Sequence, residues 1–316
     1  MMKAWMRILE VTLTSRKMKR QMVFGSNWRN GKDDLNIDIV GNKYMSALKD
    51  SCTIKLSNLT YSELVQIISG EFYEVTVKCG YRDANVQTIF DGGVLYISNS
   101  LDDKKTNAVI ILCASKLVAR YGQTRINLTL NSGINMYSAV KFVCRRAGIM
   151  DATISEQLKK TFLQDVMNVN DTAGSWIEKL TQTNNSFIAN SDSSIDSNSI
   201  VSLFNANKSN ARIITLRNDQ IDLSGGYPRL TSDGISLTIL PTFAFMCGDV
   251  IKIDNALLNM SVGSSSEVSK NYGHYLDKDG CYMIYEMEYR LQNRSSEFSL
   301  NITAKSRNLI SSYMGG

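Results

Sequence analysis

The chain has 316 residues, 43% of them hydrophobic, with 35 Lys and Arg against 30 Asp and Glu. That length accommodates two or three compact domains, and that apolar share excludes wholesale disorder; a net charge of +5 is too mild for a dedicated nucleic-acid binder. A single histidine, His274, excludes most zinc sites and most histidine-based proton transfer.

Met1 to Leu13 interleaves apolar residues with Lys3, Arg7 and Glu10, so no signal-peptide core forms. No stretch reaches the roughly 18 apolar residues that cross a membrane. The expectation is a chain without a membrane anchor, folded in a reducing cytoplasm. The six cysteines form no C-x-x-C pair and sit in apolar contexts such as Val77-Lys78-Cys79, as buried reduced thiols do.

Trp5 to Thr14 begins a strand pattern. Arg16-Lys17-Met18-Lys19-Arg20 is the densest positive run; it reads as a solvated loop joining two strands or as a contact for nucleic acid or an acidic partner. Asn27 to Lys32 carries the Asn-Gly signal of a hairpin tip. Leu35, Ile37 and Ile39 alternate with polar residues, and Ile54 and Leu56 share one face of Thr53 to Ser57. Thr60 followed by Glu63 fits a capping box, with Leu64, Ile67 and Ile68 on one helical face and Gly70 ending the helix through left-handed geometry.

Strands resume at Phe72 to Cys79, with Tyr73 expected on the face of Val75 and Val77. Val86 to Phe90, a turn at Asp91-Gly92-Gly93, Val94 to Ser98, a charged tip at Asp102 to Lys105, and Asn107 to Ala114 follow. An antiparallel barrel or sandwich accounts for this block.

From Lys116 the character changes. Ile126, Leu128 and Leu130 alternate; Asn135 to Ala147 spaces Met136, Ala139, Val140 and Val143 as a helix, stopped by Gly148. Ser155 to Met167 fits either state, and Gly174 to Thr183 reads as a helix carrying Trp176. Asn184 to Asn210 is dense in Ser, Asn and Asp, with a short strand at Ile200 to Phe204. The last third returns to strands at Arg212 to Leu216, Gly234 to Leu240, Asp249 to Ile253, Cys281 to Leu291 and Phe298 to Ala304, with a Gly/Ser loop at Ser261 to Asn271.

Chemistry-bearing patterns are scarce. No phosphate-cradling glycine motif and no metal-ligand cluster occurs. His274 lies in a loop, and Asp249 follows Gly248 as the opening of a strand after a tight turn. Glu286 and Glu288 share one strand face, about 7 Å apart by strand rise. That separation suits a glycosidase pair, but such enzymes draw the two groups from opposite sides of the bond. The reading is a non-enzyme with no catalytic, cofactor or metal site.

The order of elements resembles the tail-hub (baseplate-hub) proteins of tailed bacteriophages, and is similar to the late-control family and the hub part of type VI secretion spikes. The carrying residues are Thr53 to Leu59 leading into Tyr61 to Ile68, Phe72 to Tyr81, and Ile89-Phe90-Asp91-Gly92-Gly93-Val94. Leu240-Pro241, Gly248-Asp249-Val250 and Gly280 to Ile284 continue the pattern. The resemblance implies a mainly β chain with a mixed α+β middle. Two similar antiparallel β-barrel (tube) domains, 1–115 and 211–316, would flank a mixed middle domain at 116–210.

It also implies a homotrimer whose ring joins a tail tube protein to a spike or central tip protein, beside other baseplate proteins, and lets genomic DNA pass. The protein would reside in the virion tail after assembly in the host cytoplasm. In the last long strand, Met283, Tyr285, Met287, Tyr289 and Leu291 are expected in the core, with Ile284, Glu286, Glu288 and Arg290 opposite. Glu286 and Glu288 are then candidates to line the lumen, where carboxylates repel phosphate; a solvated outer face is the alternative. From another functional class, a secreted carbohydrate-binding or hydrolytic β-protein would need an export signal or exposed aromatic platforms, for which Trp28 at a turn is the one candidate.

Overall fold

The computed structural model describes residues 7–15, 17–25, 35–44, 50–81, 86–102, 106–115, 118–119, 124–147, 159–173, 175–176, 186–190, 201–205, 212–217, 220–221, 226–231, 234–242, 245–258 and 279–306. The sites of Trp28, the Asn-Gly tip, Gly148, the Ser261 to Asn271 loop and His274 lie outside them.

The first block contributes β1 (Arg7–Ser15), β2 (Arg20–Gly25), β3 (Asn36–Tyr44), β4 (Ser51–Ser57), helix α1 (Tyr61–Ser69), β5 (Glu74–Tyr81), β6 (Gln87–Asp102) and β7 (Thr106–Ser115). The middle holds β8 (Arg125–Leu130), α2 (Met136–Arg146), β9 (Met167–Thr172), β10 (Ser186–Asn190) and β11 (Val201–Asn205). The end supplies β12 (Ile213–Thr215), β13 (Arg229–Leu230), β14 (Gly234–Ile239), β15 (Val250–Lys252), β16 (Cys281–Gln292) and β17 (Phe298–Ser306). The chain is therefore mainly β, as its alternating segments predict.

Both strand-rich blocks belong to one 13-stranded sheet, ordered β13-β14-β17-β16-β3-β4-β7-β6-β5-β1-β2, with β15 beside β16 and β12 beside β15. The joint is β16. Its start pairs with β15 (Met283 opposite Val250), and its later part pairs with β3 (Tyr289 opposite Gly41), both antiparallel. One edge of one strand thus serves both blocks, and a single apolar core runs through them, from Leu9 and Val11 to Leu300 and Ile302. The pair β12–β15 is parallel, unlike every other ladder in the sheet.

The sheet also curls. Arg7 of β1 and Tyr81 of β5 lie far along the sheet from β17, yet Tyr81 meets Phe298 edge-on at 5.5 Å and the Arg7 guanidinium sits 5.2 Å above that ring. Arg7 also donates to the carbonyls of Ser295 and Ser296. Among the described residues no ladder closes this curl into a barrel.

Several local expectations change. Asp91-Gly92-Gly93 is not a turn: β6 runs straight through it, leaving β5 for β7 at Gly92 and Gly93, which pair with both. The glycines are required by space, since a Cβ on Gly92 would meet the Ala114 carbonyl oxygen at 2.4 Å and one on Gly93 the Ala119 Cβ at 2.2 Å. The α1 capping box forms as read, but Gly70 has φ −82°, and Glu71 is the left-handed residue at φ 47°. A Cβ on Gly70 would strike the Phe72 ring at 2.2 Å. That bend turns Phe72 into the core and leaves Tyr73 52% exposed, reversing the expected facing.

The middle region builds a second, smaller core. β8 pairs with β9, and Met136, Ala139, Val140, Val143 and Cys144 of α2 pack on them. Asn135 caps α2, its side chain accepting from the Ser138 N–H at 2.8 Å. Of the undecided segment Ser155 to Met167, 155–158 lie outside the described residues; the rest is a short helical turn at 159–160 leading to a bridge between Phe162 and Asn135. Ser175 and Trp176 are helical, Trp176 buried in this core; 177–183 lie outside the described residues.

Gly41 faces the core at the joint, and Tyr289 lies across it. A Cβ there would fall 2.2 Å from the Tyr289 hydroxyl oxygen and 2.6 Å from the Ser51 carbonyl oxygen. Overpacking of this kind costs about 1–3 kcal/mol. Gly41→Ala is expected to lower the unfolding free energy by that amount, seen as a lower denaturation midpoint. Tyr289→Phe, which loses only the hydroxyl donated to the Ser51 carbonyl at 3.3 Å, should cost about 1 kcal/mol. Equal midpoints for Gly41→Ala and the parent chain would show that the joint is slack.

Candidate functional site

From Glu286 onward β16 alternates as expected. Met287, Tyr289 and Leu291 are fully buried, while Glu286, Glu288 and Arg290 point to the other face. Upstream the expectation fails: Ile284 is buried and Tyr285 is 37% exposed. The cause is a β-bulge. Ile284 faces Ala304 and Glu286 faces Thr303, so Tyr285 is an extra residue that shifts the facing by one. Tyr285 instead carries the Lys305 ammonium 4.1 Å above its ring.

On the outward face Glu286 lies between Tyr44 of β3 and Thr303 of β17, and Glu288 between Asn42 and Asn301. The Tyr44 hydroxyl donates to the Glu286 carboxylate; burial and then this carboxylate's charge raise the Tyr44 phenol above its usual range. Glu288 Oε1 accepts from Arg290 Nε at 3.1 Å and Nη2 at 3.0 Å. The two carboxylates are therefore half-exposed, each with a donor, and bordered by neutral polar side chains. Such a patch repels anions, and it offers no second group across a gap for acid–base work. Among the described residues no cluster of His, Cys, Asp or Glu can hold a metal ion.

Asp249 is a structural residue. Its Oδ2 pairs with Arg212 Nη2 at 2.6 Å and accepts the Met246 N–H at 3.0 Å. It is 5% exposed, and it fixes the entry of β15 beside β12, just after Arg212. The basic run near residue 18 is a hairpin tip between β1 and β2. Lys17 pairs with Glu71 at 2.8 Å and Arg20 donates to the Gln66 side chain, so much of its charge is committed locally.

A different basic surface was missed in the sequence. Lys141, Arg145 and Arg146 are exposed on the face of α2 opposite its buried stripe, and Lys159 and Lys160 are exposed on the adjoining turn. Lys141 and Lys159 both sit over the Tyr137 ring, at 5.7 and 4.8 Å, and Arg146 over Phe142 at 5.5 Å. The available signal was a gap in acidic residues. Between Asp103 and Asp151 the chain has no Asp or Glu, yet it has Lys104, Lys105, Lys116, Arg120, Arg125, Lys141, Arg145 and Arg146.

All six cysteines are buried thiols, as their contexts predict. Burial pushes Cys52, Cys79 and Cys144 up to about 12, and Cys113 and Cys247 upward as well. Around Cys52 the Tyr289 hydroxyl and Lys43 pull weakly the other way.

No protein-family model matches the chain, and no curated protein matches it in sequence. Solved structures do. The 43 kDa tail protein of prophage MuSo2 from Shewanella oneidensis superposes with a TM-score of 0.58 at 8% identity, over 95% of this chain and 98% of that one. A tail protein from Neisseria meningitidis MC58 gives 0.54 at 6% identity, over 95% and 96%. The E. coli c3393 protein is a type VI secretion component described as similar to T4 bacteriophage tail proteins gp27 and gp5. It gives 0.55 at 9% identity, over 86% and 73%. The chain thus has the fold of phage tail proteins and of a type VI secretion component, the fold that its order of elements resembles.

The thiols set an alkaline limit. An ordinary thiol ionises near 9, whereas Cys52, Cys79 and Cys144 hold their protons in the folded chain to about 12. Between those values the folded state binds more protons than the unfolded one, so stability is complete below about pH 9 and falls as pH rises towards 12. Urea midpoints at about pH 8 and about pH 10.5 are expected to differ in that direction, and the loss should be shallower in Cys144→Ala. An unchanged midpoint, or rapid labelling of native thiols at the lower pH, would contradict the burial.

Proposed function

We propose that the protein is a structural tail-hub protein of a bacteriophage virion, a non-enzyme that works by binding its neighbours. In this reading three copies form a ring between the tail tube protein and a spike or central tip protein, in contact with other baseplate proteins, and genomic DNA passes through. The observation that carries it is the likeness of fold to two phage tail proteins over nearly the whole of both chains. The likeness to a type VI secretion component points to the same kind of assembly.

The proposed division is a first barrel-like hub domain at 1–115, a middle domain at 116–210 and a second hub domain at 211–316. One feature supports it: the middle region has its own core around α2. A ring would cover edges such as that of β2, whose only ladder among the described residues is with β1. Light scattering of the purified protein is expected to give a trimer, alone or with tail proteins, and imaging of virions should place it at the tail end. A strict monomer that is also absent from virions overturns the proposal.

Within the ring we place Glu286 and Glu288 at the lumen or its rim. Their support is the outward face of β16, where a pair of carboxylates lies among Asn42, Asn301 and Thr303, with Arg290 held by Glu288 and Lys305 held over the Tyr285 ring. Carboxylates repel passing phosphate at short range even in salt. Replacing both by Lys is expected to leave assembly intact and to slow DNA ejection. Unaltered ejection from normally assembled particles, or both side chains on the outer wall of the ring, would rule the placement out.

A further inference from the structure

We propose that the exposed face of α2, with the turn at 159–160, is a docking surface for the phosphate backbone of nucleic acid. The surface gathers Lys141, Arg145, Arg146, Lys159 and Lys160. The helix itself carries no acidic residue. Lys141, Arg145, Arg146 and Lys160 make no ion pair among the described residues, in contrast to Lys17 at the hairpin tip.

Like charges brought together repel, and here they share supports: one tyrosine ring carries two ammonium groups. Such an arrangement is stabilised by an anion that contacts several cations at once. Lys141 and Arg145 are one turn apart, about 6 Å along the helix, so they present a row and not a single point. A phosphodiester backbone matches a row of cations without any base contact.

An acidic protein is the competing partner class. Protein interfaces centre on bare apolar anchors ringed by polar groups. On α2 cations lie over the Tyr137 and Phe142 rings, so charge and not a bare aromatic fronts the surface, although Phe142 stays 43% exposed. The mild charge of the whole chain is no objection. Eight cations fall in the acid-free stretch between Asp103 and Asp151, more than the net +5, so the remainder is slightly acidic.

The test uses the full chain and a fluorescent duplex of roughly 30 base pairs, titrated between about 50 and about 200 mM salt. Binding is expected, weakening as salt rises. The variant Lys141→Gln, Arg145→Gln, Arg146→Gln should bind at least about tenfold more weakly, and its salt slope should be shallower by about 2–3, close to one per lost phosphate contact. These side chains point away from the buried stripe of α2, and a circular dichroism melt matching the parent verifies the fold. A control variant at the tip, Lys17→Gln with Lys19→Gln and Arg20→Gln, should bind as the parent does. No duplex binding at the lowest salt, equal loss in both variants, or polyglutamate binding as tightly as the duplex would each overturn the proposal. Vesicles rich in phosphatidylglycerol, bound in preference to the duplex, would overturn it in favour of a membrane surface. The test reads nothing from a ring, so its outcome is separate from that of the tail-hub reading.

Discussion

The molecule depends on one packing constraint, the passage of Tyr289 over Gly41. β3 and β16 come from opposite ends of the chain, and the Ile37 N–H donates to the Asn293 side chain across 256 residues of sequence. At their crossing only a residue without a side chain lets the Tyr289 ring lie flat enough for its hydroxyl to reach the Ser51 carbonyl on the next strand. A sheet is stabilised by its cross-strand neighbours, and an aromatic over a glycine fills the gap that the glycine leaves. The contact sits in the ladder of seven residue pairs, Glu286 to Gln292 against Tyr44 to Asp38, that joins the strand-rich ends. Joined there, they share one core.

The same constraint explains what could be read from sequence. Short-range signals were legible because each is set within a few residues: the Thr60–Glu63 capping box, the helical spacing in α2, the alternation in β3 and β4. Facing was legible only where the period of two is unbroken. One extra residue at Tyr285 and one left-handed residue at Glu71 reversed it, and neither has a sequence mark that separates it from an ordinary strand or loop residue. Gly92 and Gly93 looked like a turn because a glycine required for space and one required for turning are the same letter. The pairing of β3 with β16 and the parallel β12–β15 ladder are long-range choices, invisible to any local window. The carboxylates Glu286 and Glu288 were found by alternation, but Tyr44 and Arg290 as their donors needed the register.

Charge is arranged more unevenly than composition suggests. The tip at Lys17 and Arg20 is engaged by Glu71 and Gln66 on the α1 side. The outward face of β16 carries Glu286 and Glu288, with Arg290 paired to Glu288 and Lys305 over the Tyr285 ring. The α2 face is cationic, with its charges resting on aromatic rings. Over distances beyond about 8–10 Å physiological salt screens such patches from each other, so each acts on what it touches and not on the molecule at large. A protein can then repel phosphate on one surface and attract it on another.

The joint also bears on how the chain reaches its fold. β3 and β4 are made early and pair with each other and, through β4, with β7, but one edge of β3 stays open until β16 is available. An open edge flanked by apolar residues is a site for wrong pairing. Here the edge residues facing outward are Asn36, Asp38, Val40, Asn42 and Tyr44, polar but for Val40, while the apolar Ile37 and Ile39 face the core side. Asp38 in particular places a charge in mid-edge, the kind of residue that discourages another strand from adding. The correct partner offsets that cost through the inward set of Met287, Tyr289 and Leu291, all fully buried. Specificity at the joint therefore comes from both sides of one strand: polar groups that repel a stranger, and a glycine shaped for one tyrosine.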